Sequence, residues 1–346
     1  MKEQFSALLR AWYEENKRDL RWRQTRDPYL IWLSETILQQ TRVQQGAAYY
    51  DRFVEAFPTV GDLASASEDQ VLKLWQGLGY YSRARNLHKA ARQVVEQHQG
   101  LFPREYQAVR GLPGVGPYTA AAILSIAFDL PYAVVDGNVY RLYARLFDLE
   151  APIDTGAGQR AFAALAEEML DRERPGLFNQ ALMEFGALHC TPRNPRCEAC
   201  PFEGQCLARA AGRVAERPFK QGRQRQRDRY LNYLHLRAGD QHLIHRREGR
   251  DIWQGLYEFP LVESDRPTPF EELPLPSWLK GVSFLLKGQE DLPLHQLSHQ
   301  RLHARVYRLE VAEPVVVEGA LWVSDSALGD YAWPRLLDRY LQGDKG

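Results

Sequence analysis

The sequence predicts a multidomain chain in which an all-α part is followed by an α/β part. Up to about residue 215, apolar residues recur at helical spacing in runs such as "PYLIWLSETILQQTRVQQGAAYYDRF", "YTAAAILSIAF" and "RAFAALAEEML". Beyond about residue 230, short alternating runs such as "YLNYLHLRA", "QHLIHRR", "RLHARVYRLEV" and "ALWVS" are typical of strands. A chain of 346 residues has room for two or three domains. The change from helical to alternating spacing of apolar residues places the domain boundary between 215 and 230.

The segment 213–229 joins the two parts and is basic. It contains seven Lys and Arg against two Asp and Glu, whereas the whole chain contains 44 of each. Its low apolar content predicts an exposed linker. A solvated tether is the simpler interpretation, and a strap along DNA phosphates is attractive only if the neighbouring parts bind DNA. No apolar run is long enough to span a membrane, so no membrane partner is expected.

All four cysteines lie in one short loop, "CTPRNPRCEACPFEGQC", at Cys190, Cys197, Cys200 and Cys206. No signal-like leader follows Met1, so we expect a cytoplasmic protein whose reduced thiols bind metal. Structural zinc sites usually pair two C-x-x-C knuckles, and this loop has one. Four thiolates from one loop also suit an iron–sulfur cluster. Spacing alone leaves zinc open.

A glycine-rich turn, Gly111 to Gly116, precedes the Ala-rich helix in "VRGLPGVGPYTAAAILSIAF". Gly114 and Gly116 let the backbone approach another chain closely, and N–H groups at the helix start can hold a phosphate. The pattern fits a helix–hairpin–helix motif, although an ordinary helix connection would look similar. A second copy, "GLGYYSRA" at 77–84, matches "GVGPYTAA" at 114–121.

Glu35 is expected on a mostly apolar stripe of a helix that Asp27 can cap and Pro28 can begin. A carboxyl group there either pairs with a cation or has a raised pKa and can donate a proton near neutrality. Arg23 and Arg42 are the candidate cations. The residues alone leave both interpretations open.

Asp136 follows the apolar run "YAVV" and precedes "GNVYRLYARLF", so it is expected at a helix N-terminus. The helix dipole there keeps a carboxylate ionised, and the simplest role is that of an N-cap. The apolar surroundings of Glu35 and the helix N-terminus at Asp136 are nevertheless expected to push the pKa values of the two carboxyl groups apart. One would then be a protonated acid and the other an anion. Cleavage of a glycosidic bond through an oxocarbenium-like state requires such a pair.

Taken together, the motifs resemble the MutY adenine DNA glycosylases, of the helix–hairpin–helix/GPD superfamily shared with endonuclease III. The stretches "WLSETILQQTRV", "GLGYYSRARNL", "LPGVGPYTAAAI", "VVDGNVYRL", "FNQALMEFGALHC" and the four-cysteine loop match in order over residues from about 20 to 206. The resemblance implies a [4Fe–4S] cluster on the four cysteines. It also implies that this loop presents Arg193 and Arg196 to the DNA backbone, although solvation of a polar loop would explain them equally.

The resemblance also implies an all-α, two-lobed helix–hairpin–helix glycosylase core over residues 1–212. Its lobes would be a six-helix module at about 24–130 and an iron–sulfur lobe formed by 1–23 and 131–212.

In this family the substrate is adenine mispaired with 8-oxoguanine, or with guanine, in double-stranded DNA. The adenosine must leave the base stack before its glycosidic bond can be hydrolysed. By resemblance, Glu35 protonates adenine and Asp136 stabilises the sugar cation, while Asn138 and Tyr118 orient these groups. The endonuclease III branch has a lysine at the position of Tyr118, which forms a Schiff base and cuts the strand, and a phenol cannot do so. The resemblance therefore implies a monofunctional base-excision-repair enzyme, and we expect a monomer; a packed aromatic residue is the other interpretation of Tyr118.

Further DNA contacts are implied by the same resemblance. Gln40 and Tyr80 match positions that wedge into the duplex around 8-oxoguanine. Trp22, Arg23 and Gln180 are candidates for the adenine pocket.

The stretch "IWQGLYEFPLVE" resembles the "W-x-G-L-x-E-F-P" pattern of Nudix-type folds. Prolines in the following "SDRPTPFEELPLPSW" would break the metal-binding helix of a Nudix hydrolase. We therefore expect residues 230–346 to form an α/β Nudix-like domain that recognises 8-oxoguanine without hydrolysis. The family's Phe-Ser-His loop corresponds to Leu297, Ser298 and His299. Leucine has no aromatic ring, so we do not expect stacking at that place, whereas Ser298 can still form hydrogen bonds. Two histidines lie near His299, but alternating strand positions favour solvated side chains over a metal site.

Three other functions compete with this interpretation. An endonuclease III-like glycosylase/lyase would act on oxidised pyrimidines, and both Tyr118 and the additional domain argue against it. A DNA-binding redox sensor would use the cluster as a switch. A zinc-stabilised DNA-binding module would use the cysteines structurally.

Overall fold

A computed structural model of the chain describes residues 2–222 and 226–343. The chain separates into two compact units. The helical unit comprises Met1–Ala64 and Lys89–Gly222, and the sheet unit comprises Ser65–His88 and Arg223–Gly346. Residues 65–88, which the sequence assigns to the six-helix module, thus group with the C-terminal strands. In the described residues, no helix is both long and apolar enough to cross a membrane.

The helices begin and end close to the predicted signals. Asp27 accepts a hydrogen bond from the Tyr29 amide and Pro28 is the first helical residue, as predicted for the helix that carries Glu35. The predicted helical run from Pro28 to Phe53 breaks after Leu38. The described helices are α1 (Lys2–Asn16), α2 (Pro28–Leu38), α3 (Val43–Ala56), α4 (Val60–Ser65), α5 (Glu68–Trp75), α6 (Ser82–His98), α7 (Tyr106–Arg110), α8 (Pro117–Phe128), α9 (Gly137–Leu146), α10 (Gly156–Met169), α11 (Pro175–Leu188), α12 (Leu207–Ala210) and α13 (Arg335–Leu341).

Helix α8 lies at the centre of the helical unit. Its residues from Thr119 to Ala127 are all buried, because the Ala-rich sequence is apolar on every side. It packs against α2 and α11, and α11 packs in turn against α1 and α9. This arrangement brings the first turn of α8, the middle of α2 and the N-terminus of α9 close together.

The sheet unit contains one mixed sheet of eight described strands. The order is β3-β2-β1-β7-β5, with β4 paired to β1, β6 to β7 and β8 to β2. Strands β1 and β7 are parallel, from Arg227 beside Gln300 to Arg237 beside Glu310, and the other pairs are antiparallel. The strands are β1 (Arg227–Ala238), β2 (Gln241–Arg246), β3 (Tyr257–Glu258), β4 (Leu261–Ser264), β5 (Phe284–Asp291), β6 (His295–Gln296), β7 (Gln300–Val311) and β8 (Ala320–Ser324).

The proline-rich stretch after β4 does not form an α-helix. It contains two short 3₁₀ turns, Phe270–Glu272 and Ser277–Leu279, and the remainder is irregular. The sequence prediction that the metal-binding helix of a Nudix hydrolase is broken here is therefore confirmed.

The basic segment 213–229 is not exposed throughout, as an exposed linker would be. Arg213 and Arg217 both pair with Asp148, and Arg229 on β1 lies 2.6 Å from Glu263. Buried or half-buried carboxylates thus neutralise three of its seven cations. The other four are Lys220 and Arg227, which are exposed, and Arg223 and Arg225, which lie outside the described residues.

Candidate active site

A cavity of about 540 Å³ opens in the helical unit where α2, α8, α9 and α11 meet. It contains the predicted acid, the predicted anion and all three predicted adenine-pocket residues, and these come from five different parts of the chain. The sequence-predicted residues that line it are Glu35, Tyr118, Asp136, Asn138, Trp22, Arg23, Gln40 and Gln180.

The carboxyl of Glu35 and the phenol of Tyr118 form the closest polar contact in the cavity. The Tyr118 hydroxyl lies 2.5 Å from Glu35 Oε2 and 3.1 Å from Met183 Sδ. Burial raises the pKa of Glu35, and the hydrogen bond from Tyr118 reduces that effect without cancelling it. Burial also raises the pKa of Tyr118 well above its usual value, so the phenol keeps its proton.

Neither candidate cation forms a described ion pair with Glu35. Arg23 pairs with Glu184 at 2.8 Å, and Arg42 precedes the first residue of α3. Among the described residues, Glu35 forms no ion pair, so the raised-pKa interpretation holds and the salt-bridge interpretation is wrong.

Asp136 is the N-cap of α9, as predicted. Its Oδ1 accepts hydrogen bonds from the amides of Asn138 and Val139 at 2.9 and 2.8 Å, and its Oδ2 accepts one from Asn138 Nδ2 at 2.7 Å. These bonds favour the anion, but burial outweighs them and raises the pKa of Asp136 too. The expectation that only Glu35 has a raised pKa is therefore wrong. The two groups differ instead in their donors, since three hydrogen bonds reach Asp136 and one reaches Glu35.

Arg141, which the sequence analysis did not single out, holds Asn138 in place. Its Nη2 donates to Asn138 Oδ1 at 2.8 Å, and its Nε donates to the Cys190 carbonyl at 2.7 Å. The guanidinium therefore connects the helix capped by Asp136 with the start of the cysteine loop. The position of Arg141 one turn after Asn138 on α9 was the available signal.

Glu184 on α11 is a second residue that the sequence analysis missed. Its side chain is fully buried and receives Arg18 at 2.7 Å and Arg23 at 2.8 Å. Burial alone would raise the pKa of Glu184, but the hydrogen bonds from Arg18 and the charge of Arg23 outweigh it and lower the pKa. The ionised carboxylate thus fixes Arg23 in the cavity wall.

The four cysteines line one small cavity that is separate from the catalytic residues. No disulfide joins them in the described structure, and burial raises the pKa of Cys200 to about 11. Arg145 Nη1 lies 3.5 Å from Cys190 Sγ. Half-buried thiols beside the buried guanidinium of Arg145 could hold an iron–sulfur cluster as thiolates, because the positive charge of the iron would offset the cost of burying four anions. The cysteine set therefore fits an iron–sulfur cluster.

The predicted hairpin lies between α7 and α8. Gly114 has a φ of 77°, which favours glycine, and Gly116 is the N-cap of α8. A Cβ atom added to Gly116 would meet nothing within 4 Å, so this side of the turn is open.

Other predicted DNA-contacting residues are exposed. Gln40 lies at the edge of the cavity with a φ of 58°. In the sheet unit, Tyr80 has a φ of 48° and its side chain is 52% exposed. Ser298 and His299 are also exposed, with Ser298 Oγ 3.1 Å from His299 Nδ1.

Three parts of the chain match known protein families. Residues 33–167 match the HhH-GPD superfamily of base excision DNA repair proteins. Residues 190–206 match the iron–sulfur binding domain of endonuclease III, which confirms the predicted [4Fe–4S] cofactor and argues against zinc. Residues 232–343 match the NUDIX domain.

Relatives that match most of the chain show which family it belongs to. The chain is 33% identical to the adenine DNA glycosylase of Buchnera aphidicola subsp. Schizaphis graminum, over 86% of this chain and 85% of that protein. It is 31% identical to the adenine DNA glycosylase of Schizosaccharomyces pombe, over 94% of this chain and 86% of the relative. The chain belongs to the adenine DNA glycosylase family. The human adenine DNA glycosylase is 47% identical over 59% of this chain, but the match spans only 39% of its length.

Solved structures agree with this family at the level of the fold. A thermostable thymine-DNA glycosylase matches with a TM-score of 0.55 and 31% identity, over 61% of this chain and 97% of its own. Endonuclease III in a non-covalent DNA complex matches with a TM-score of 0.52 at 22% identity, which shows the fold alone. The predicted class, a helical glycosylase core followed by a Nudix-like domain, is confirmed.

Proposed function

We propose that this adenine DNA glycosylase family member hydrolyses the N-glycosidic bond of adenine mispaired with 8-oxoguanine, or with guanine, in duplex DNA, as a monomer and without cutting the strand. The observation that carries the proposal is the Glu35–Tyr118 pair, in one cavity with Asp136. A proton donor and a carboxylate in one pocket are the groups that a dissociative glycosidic cleavage uses.

Glu35 is the proton donor in this mechanism. Adenine is a poor leaving group as an anion, so protonation of the base, which we place at N7, makes departure easier. The raised pKa of Glu35 keeps the carboxyl protonated at higher pH than an exposed glutamate. After the base has left, the carboxylate can accept a proton from the attacking water.

Asp136 is the group that stabilises the positive charge on the sugar. Its three donors, two of them from Asn138, hold the carboxylate in one orientation and favour its ionised form. An anion fixed in this way stabilises an oxocarbenium-like state or captures the sugar covalently, as in other glycosidic cleavages.

Tyr118 supports a monofunctional reaction. A lyase needs an amine that forms a Schiff base with the sugar aldehyde, and a phenol cannot form that bond. The hydroxyl instead donates to Glu35. The abasic site is therefore expected to leave the enzyme with its strand intact.

The open hairpin and the cysteine loop supply contacts to the DNA backbone in this proposal. Gly114 and Gly116 shape a turn whose outer side admits a phosphate to the N–H groups at the start of α8. Arg193 and Arg196 are exposed in the cysteine loop, and the cluster, when bound, fixes the shape of that loop.

Recognition of the mispair falls to exposed residues. The target adenosine must be turned out of the duplex to enter the cavity, and Gln40 and Tyr80 are assigned to the gap and to the base opposite. Ser298 and His299 are assigned to hydrogen bonding with 8-oxoguanine. Leu297 contributes no aromatic ring, so the loop binds through these polar groups.

The test is release of free adenine from duplexes with adenine opposite 8-oxoguanine, guanine or thymine under single-turnover conditions. Release should be fastest opposite 8-oxoguanine and absent opposite thymine. Glu35→Gln and Asp136→Asn should each abolish release, whereas Glu55→Gln, at an exposed position on α3, should not. Adenine release that survives Glu35→Gln would overturn the acid role.

A further inference from the structure

The second glycine hairpin, residues 77–84, connects α5 to α6 and has an unusual backbone. Gly77 and Gly79 have φ values of 97° and 73°, and Tyr80 follows with a φ of 48°. An L residue keeps this conformation only where its surroundings impose it, yet the Tyr80 ring itself is half exposed. Groups other than the ring must therefore fix the hairpin.

Residues from Tyr331 to Asp338, in the same unit, hold the end of α5. Gln76 Nε2 donates to Asp338 Oδ1 at 2.8 Å, and the Trp333 amide lies 3.4 Å from Gln76 Oε1. One turn earlier, Lys73 Nζ donates to the Tyr331 carbonyl at 2.9 Å. The last turn of α5 is thus tied to the chain around the start of α13.

Tyr81 connects the hairpin itself to the same segment. Its side chain is 4% exposed, and its hydroxyl accepts from the Gly77 amide at 3.2 Å and lies 3.4 Å from the Trp333 carbonyl. In the repeated sequence pattern, Tyr81 has the place that Tyr118 has in the first hairpin. The two tyrosines differ in partner, since Tyr118 donates to a carboxyl group and Tyr81 joins two backbone groups.

The turn just before Tyr80 is also held from inside the hairpin. Trp75 Nε1 and Arg83 Nη2 both donate to the Gly79 carbonyl, at 3.0 and 3.2 Å. The Arg83 guanidinium lies 5.7 Å from the centre of the Tyr80 ring. The backbone on both sides of Tyr80 is therefore fixed while the ring remains available.

We propose that Tyr81 is a positioning residue for Tyr80, because its hydroxyl fastens the hairpin to the Trp333 carbonyl and so sets where the exposed Tyr80 ring enters the duplex. This inference deepens the proposed function and rests on it, since it takes Tyr80 to lie at the mispair. It means that the chain segment from Tyr331 to Asp338, which leads into α13, acts on recognition of the opposite base through Tyr80, in addition to the Ser298–His299 loop.

The test uses the full chain in four forms: Tyr81→Phe, Tyr80→Ala, the double variant, and Tyr307→Phe as control. Tyr307 is a buried tyrosine of the same unit whose hydroxyl donates to the Thr268 carbonyl at 3.1 Å. Tyr81→Phe should weaken binding of a duplex with adenine opposite 8-oxoguanine by about 2- to 10-fold, the range for one lost hydrogen bond. In the Tyr80→Ala background it should cause no further loss, because residues that act through one another are not additive. Losses that multiply in the double variant, or an equal loss in Tyr307→Phe, would overturn the inference.

Hydrogen exchange separates this inference from the proposed function. Without DNA, the Gly77 amide should exchange faster in Tyr81→Phe than in wild type or Tyr307→Phe, because its acceptor is gone. Unchanged protection of Gly77 would refute the positioning role, whatever the enzyme does to DNA. Failure of the wild-type protein to release adenine would refute the proposed function and leave the exchange result to decide the position of the hairpin.

Discussion

The hydroxyl of Tyr118 lies 2.5 Å from Oε2 of Glu35, a contact between two residues 83 positions apart in the chain. It joins the first turn of α8 to the middle of α2 inside the cavity. Burial raises the pKa of Glu35, and this bond is the largest effect that opposes burial. The charge of Asp136 adds to the rise, and the charge of Arg23 opposes it.

Removal of the phenol hydroxyl should shift the pH dependence of adenine release. In Tyr118→Phe the anion of Glu35 loses its donor, so the pKa of Glu35 should rise further. Because a hydrogen bond to a charged group contributes about 1.5–3 kcal/mol, the pH at which activity falls by half should move up by roughly one unit or more. Single-turnover rates across pH measure this, and a downward shift would contradict the described balance.

Glu35 should also make stability depend on pH. Its folded-state pKa is raised, so its contribution to stability is complete below the usual pKa of a glutamate and is lost as the pH rises through the folded value. The free energy of unfolding of the wild type should therefore fall relative to Glu35→Gln as the pH rises, by at most about 1.4 kcal/mol per pH unit. Denaturant unfolding of both proteins across pH measures the difference, and parallel curves would show that folding does not raise the pKa of Glu35.

The buried carboxylate of Glu184 should be costly to neutralise. Glu184→Gln leaves Arg18 and Arg23 without their charged partner, and breaking such a buried pair typically costs about 3–5 kcal/mol. The matched variant Glu14→Gln removes an exposed pair with Lys17 and should cost less than about 1 kcal/mol. Because the pKa of Glu184 is lowered, its stabilising effect is lost as the pH falls through that value. Equal stability of the two variants in denaturant unfolding would refute this account.

The salt dependence of DNA binding should distinguish the exposed Arg196 of the cysteine loop from the paired Arg213. Each phosphate contact contributes about 0.9 to the slope of log affinity against log salt, so Arg196→Gln should lower that slope by about this amount. Arg213→Gln should leave it unchanged, because Arg213 is already paired with Asp148 and Glu150. Binding titrations at several salt concentrations measure both slopes. A larger change for Arg213 would return the basic segment to its composition-based role.

Local signals were predictable from the sequence, and long-range partners were not. The Asp27–Pro28 helix start, the Asp136 cap and the broken Nudix helix each depend on residues within a few positions of one another. By contrast, the partners of Glu184 lie about 160 residues away, and nothing in its own helix indicates them.

The same limit explains two other differences between the sequence predictions and the structure. Pairing of Arg213 and Arg217 with Asp148 depends on a fold that brings the segment back to the end of α9. The grouping of residues 65–88 with the C-terminal part of the chain depends on contacts about 260 positions apart, such as that of Gln76 with Asp338 on α13. Composition and periodicity cannot predict such long-range contacts, because these two properties describe only residues that are neighbours along the chain.

The measurement that tests the central claim most directly is a single-turnover reaction of the wild-type protein on a labelled duplex with one adenine opposite 8-oxoguanine, analysed with and without alkali. If Glu35 and Asp136 remove adenine and Tyr118 forms no Schiff base, strand breaks should appear only after alkali. Strand breaks without alkali would assign lyase chemistry to this chain, and an uncut duplex under both conditions would contradict the proposed base removal.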